Sequence, residues 1–106
     1  MVTEVHSKRI YKFKPRFGAQ VQMTAAEIRS AILNLGSQIT GAKYTVEVLS
    51  EKDDSIEVYC IAPTGQLVYE MDSKLMFKIL NFCEKTNLDF SVGELKAKTP
   101  DMEEWE

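Results

Sequence analysis

Apolar residues recur with two different periods along this chain, and the switches between them mark its elements. From Lys8 to Lys14, Arg9, Tyr11 and Phe13 fall on one side and Lys8, Ile10, Lys12 and Lys14 on the other, a period of two that predicts a strand. Pro15 cannot donate to a ladder and is expected to end it. Ala19–Met23 offers a short second strand, with Val21 and Met23 inward. The period then lengthens. Thr24-Ala-Ala-Glu27 has the form of a capping box, in which the Thr24 hydroxyl takes the Glu27 amide and the Glu27 carboxylate returns to the Thr24 amide. Behind it Ala25, Ile28, Ala31, Ile32 and Leu35 share an arc of about 120° on a helix. Gly36 is its natural stop.

Three further strands are expected. Lys43–Leu49 alternates Tyr44, Val46 and Val48 against Thr45 and Glu47. A polar turn over residues 50–55 leads into Ser55–Ala62, with Ile56, Val58, Cys60 and Ala62 on one side. If Thr64 and Gly65 make a two-residue turn, Gln66–Met71 pairs back on this strand, with Ala62 facing Leu67, Cys60 facing Tyr69 and Val58 facing Met71. The opposite face of that hairpin would carry Tyr59, Ile61 and Val68. Asp72 or Ser73 then caps a second helix to about Thr86, with Leu75, Met76, Ile79, Leu80, Phe82 and Cys83 on its apolar side and Phe77 among polar residues. Leu88–Leu95 offers a last strand.

The expected order is β(β)αβββαβ. Hairpin-joined strands with two helices favour an α+β fold, a mainly antiparallel sheet of four to five strands with both helices packed on one face. At 106 residues this is a single domain, assigned to residues 1–95, followed by an acidic C-terminal tail over 96–106.

Charge sharpens the picture. Residues 1–50 hold seven Lys/Arg against three Asp/Glu, whereas residues 51–106 hold six against thirteen. A basic-aromatic entry strand therefore faces an acidic exit segment ending Asp101-Met-Glu-Glu-Trp-Glu106. A net charge of −3 makes the whole chain a poor generic binder of nucleic acid and leaves that role to a local patch. No apolar run approaches the roughly 18 residues of a membrane span, and the N-terminus lacks a signal-peptide pattern. Cys60 and Cys83 form no C-x-x-C pair and read as free buried thiols, which suits a cytoplasmic location.

Catalytic chemistry finds little to stand on. His6 is the only histidine, which excludes a His-pair metal site and leaves a triad unsupported. Glu51, Asp53 and Asp54 share a loop without the ligand alternation, central glycine or closing glutamate of a calcium site. The scattered glycines form no phosphate cradle. Glu47 and Glu57 would lie opposite each other on the outer face if Val48 pairs with Ile56, an unfavourable pairing of like charges.

The chain thus reads as a non-enzymatic protein-interaction module, a small regulator or inhibitor that needs no cofactor. Its expected contacts are an outer patch of Tyr59, Ile61, Val68 and Phe77, with Leu33 nearby, and Trp105 of the acidic tail. The partner is another protein, a second copy of the chain being one option, and no membrane is involved. The alternative is a nucleic-acid-binding module using Lys8, Arg9, Lys12, Lys14 and Arg16. A small-molecule-sequestering protein is a further alternative, because a pocket between sheet and helices leaves no mark in a sequence.

Overall fold

A computed structural model describes residues 4–18, 20, 23–52 and 54–99. The elements are β1 (Val5–Pro15), α1 (Ala25–Ser37), β2 (Lys43–Ser50), β3 (Ser55–Ala62), α2 (Gly65–Thr86), β4 (Leu88–Val92) and β5 (Lys96–Lys98). The sheet is antiparallel throughout, in the order β2-β3-β1-β4, and β5 also pairs with β1. The fold is α+β, with the βαββαβ core of the ferredoxin-like arrangement extended by a short last strand.

Alternation on β1 decides which face is covered. Tyr11 and Phe13 are buried beneath the helices beside Val46, Ile56, Val58 and Leu88, and α1 supplies Ile28 and Ile32 to the same core. Tyr11, Phe13 and Phe90 cluster with ring centroids 6.0–6.3 Å apart, within the range of favourable aromatic contact. The helix start at Thr24 is the expected capping box: the Glu27 amide donates to Thr24 Oγ1 at 3.2 Å and the Thr24 amide to Glu27 Oε1 at 3.2 Å. The helix runs past Gly36 to Ser37, and the glycine has a packing reason. A Cβ there would lie 3.0 Å from Cγ of Tyr44 on the neighbouring strand.

The expected hairpin through Pro63–Gly65 does not form. Gln66–Met71 belongs to α2, whose N-cap is Thr64, nine residues before Ser73, and whose cap Oγ1 accepts the Leu67 amide at 3.1 Å. Asp72 and Ser73, expected as its cap, lie inside the helix. Two physical facts override the alternation of Leu67, Tyr69 and Met71. Val68, Met71, Leu75, Ile79 and Cys83 continue one buried stripe at helical spacing. Moreover β3 is already paired on both sides, by β1 and β2, so it has no free edge for another strand.

Elsewhere the register follows the pattern. Val48 pairs with Ile56, and Glu47 does stand opposite Glu57. The last predicted strand stops at Val92, and residues 96–98, expected as the start of a tail, add β5 to the sheet. Gln20 and Met23 are in no strand, and the rest of the short strand expected there lies outside the described residues. Among the described residues no helix is long and apolar enough to cross a membrane.

Candidate nucleic-acid interface

Both helices pack on one face of the sheet, so the other face is left to side chains of alternate residues on β1, β2, β3 and β5. Cross-strand pairing arranges them in rows. Lys96, Lys8, Tyr59 and Thr45 form one row, and Lys98, His6, Ile61 and Lys43 the next. A third row places Ile10 beside Glu57 and Glu47. Lys12 and Lys14 continue the face toward β4, opposite Ser91 and Asp89. Lys8 and Lys96 stand directly opposite each other, and Glu57 and Glu94 lie close enough to moderate the repulsion of the two like charges.

Glu57 is an unusual resident of this face, only 9% exposed. Its carboxylate accepts the hydroxyl of Tyr59, two positions along the same strand. That hydrogen bond, followed by partial burial and the negative charge of Glu57, pushes the Tyr59 phenol up to about 12. The bond tethers the ring by its polar tip, while the surface around it stays open. Beside the ring lies a recess of about 220 Å³ lined by His6, Thr45, Glu47, Tyr59 and Ile61, with backbone of β1 and β3 completing it. A smaller cleft of about 160 Å³ opens where β1 passes from β5 to β4, between Lys8, Lys96, Glu57 and Glu94. Gly93 bridges that gap, its N–H donating to the Ile10 carbonyl at 2.8 Å.

The two groups of residues singled out in the sequence fare differently. Lys8, Lys12 and Lys14 come together on the open face, as the alternation predicts. Arg9 does not join them: it points to the helix side, where Nη1 donates to Asp72 Oδ2 at 2.7 Å and Nε to the Gly93 carbonyl at 3.0 Å. Arg16 lies beyond the strand, its Nε 3.4 Å from Asp89 Oδ1. Of the apolar patch, Tyr59 and Ile61 share the open face. Val68 is a correction. It is fully buried on the inner side of α2, because the segment that carries it is helix and not strand. Phe77 is 66% exposed, but on α2, in the layer behind the sheet. Leu33 packs against the core. Trp105 lies outside the described residues.

Lys43, Thr45, Lys96 and Lys98 were missed. The parity of β2 placed Thr45 outward with Glu47, but nothing local says that β2 and β5 end up flanking the basic residues of β1. Both cysteines are free and buried. Burial pushes the Cys83 thiol up to about 11 and raises Cys60 as well. Among the described residues no three His, Cys, Asp or Glu side chains converge as a metal site would require.

No family model matches the chain, and no curated protein matches it either. Solved structures do resemble it. A C-terminal segment of the alpha subunit of aIF2 from Pyrococcus abyssi superposes with a TM-score of 0.65 at 10% identity, over 87% of this chain and 51% of that one. A hydantoinase/carbamoylase family amidase from Burkholderia ambifaria gives 0.60 at 8% identity, over 87% and 27%. SnoaB, a cofactor-independent oxygenase from Streptomyces nogalater, gives 0.52 at 13% identity, over 94% and 95%. The chain thus spans about half the length of the first and about a quarter of the second. At such identities the likeness is one of fold alone.

Proposed function

We propose that this chain is a binding module that takes single-stranded nucleic acid across the open face of its sheet. The observation that carries the reading is the gathering of six lysines from three strands on the open face, Lys8, Lys43, Lys96 and Lys98 in the two rows that hold Tyr59 and Ile61, and Lys12 and Lys14 further along β1. A strand of nucleic acid needs cations along its phosphates and a flat apolar surface under a base, and this face carries both.

Fluorescence anisotropy of a labelled single-stranded oligonucleotide at about 50 and 200 mM salt tests it. Micromolar binding that weakens steeply with salt is expected, as is a shallower salt slope for Lys8→Glu and Lys96→Glu. No binding at the lower salt sinks the reading.

A protein partner is the second reading, and a different surface favours it. Tyr69, Phe77 and Leu80 are all exposed on α2, at 59, 66 and 43%. Apolar side chains gathered on one solvent-facing helix suit a partner contact. Under that reading Phe77→Glu abolishes function and the lysine reversals do not.

A further inference from the structure

Resting on the nucleic-acid reading and deepening it, we propose that the recess beside Tyr59 is a site for a single guanine base, with Glu47 as the group that selects it. Size comes first. At about 220 Å³ the recess falls below the roughly 300 Å³ at which pockets for whole small-molecule ligands begin, and it suits one flat ring system. Its apolar walls are Tyr59 and Ile61, and the polar side chains of its open-face lining are Thr45, Glu47 and His6, the last with Nε2 3.3 Å from Glu4 Oε2.

The chemistry of those polar groups chooses among the bases. A carboxylate only accepts hydrogen bonds, and its two oxygens match two parallel donors. Guanine alone presents two adjacent donors, N1–H and the N2 amino group, on its pairing edge. Adenine and cytosine each offer one amino group beside an acceptor, and uracil offers one N–H between two carbonyls that the carboxylate repels. Glu57 is not the reader, because it is nearly buried and already holds the Tyr59 hydroxyl. Glu47 is exposed and directly opposite Glu57, and two facing carboxylates are unfavourable in a ladder. A donor pair inserted at Glu47 relieves that repulsion. Lys43 lies on the same strand, one row beyond Thr45 and two from Glu47, placed to meet the phosphate of the same nucleotide.

The test compares labelled 12-nucleotide oligouridylates that carry one central guanine, adenine, cytosine or no substitution, titrated with the full chain at about 50 mM salt. The guanine oligonucleotide should bind about tenfold tighter than all-uridine, as one bidentate base contact allows. In Glu47→Gln, which keeps the shape but loses the second acceptor, that preference should vanish while all-uridine binding is kept or strengthened. Equal binding of all the oligonucleotides overturns the guanine assignment and leaves the nucleic-acid reading standing. A guanine preference that survives in Glu47→Gln overturns the role of Glu47. Failure of every oligonucleotide to bind removes both readings together.

Discussion

Arg9 on β1 and Asp72 on α2 form an ion pair across the layer boundary, with Nη1 and Oδ2 2.7 Å apart and both side chains largely shielded from water. Strand alternation turns Arg9 to the covered side with Tyr11 and Phe13, and Asp72 meets its charge there. The ion pair also holds the second turn of α2 to the central strand. Burial raises the Asp72 carboxyl above its ordinary range while the guanidinium pulls it back down, so the two partners are interdependent. Asp72→Ala leaves Arg9 shielded without its counter-charge, and we expect it to destabilise the fold by about 3 kcal/mol. Urea unfolding monitored by circular dichroism measures this. A loss under about 0.5 kcal/mol would place the pair with ordinary exposed ion pairs instead.

Thr64 opens α2 by accepting the Leu67 amide. Thr64→Ala should cost about 1 kcal/mol, the usual worth of an N-cap. Were the segment a hairpin turn, this substitution would be close to neutral, so thermal unfolding of the variant separates the two local structures.

Gly36 lies against the ring of Tyr44, which in turn donates its hydroxyl to the Met71 carbonyl at 2.9 Å. Gly36→Ala gains helix propensity but drives a methyl group into that ring. Overpacking should win, at a net loss of about 1–2 kcal/mol. A gain in the denaturation midpoint would mean that Tyr44 shifts freely.

Tyr11, Tyr44 and Tyr59 all have raised phenols, by burial first in the former two and by the Glu57 hydrogen bond first in Tyr59. A raised value in the fold means that the neutral phenol is favoured there. The resulting stability is fully present below the ordinary tyrosine value of about 10 and is lost as pH rises through the higher folded values. Denaturation midpoints should therefore hold up to about pH 10 and fall above it. Midpoints unchanged at pH 11.5, where tyrosines ionise in the unfolded chain, contradict the assignment.

The buried thiols lead to a kinetic expectation. With Cys83 at about 11 and Cys60 also raised, neither offers appreciable thiolate at pH 8. Reaction with a disulfide reagent should be at least about a hundredfold slower in the native protein than in urea, since attack waits on opening of the core. Fast labelling of the folded chain would show a thiol within reach of solvent.

Periodicity alone determined much of this protein. The Thr24–Glu27 box set the start of α1, because a cap is a contact between residues three apart and needs no partner from elsewhere. Alternation told Lys8, Lys12 and Lys14 from Tyr11 and Phe13, since successive strand side chains must point to opposite faces. The same parity rule placed Glu47 against Glu57, and the α+β class followed from the element order. What parity cannot say is which strand lies next to which. The apolar residues from Leu67 to Met71 satisfy a strand and a helix alike, and only the occupation of both edges of β3 decides for the helix. Likewise the basic surface depends on Lys43, Lys96 and Lys98, which sit far along the chain from Lys8 and meet it through sheet order. Parity had already set Arg9 on the side of Tyr11 and Phe13, but its partner there, Asp72, was decided only by the packing of α2. Hydrogen bonds between distant strands and helices are made in three dimensions, and a linear pattern records only which face each residue is free to take.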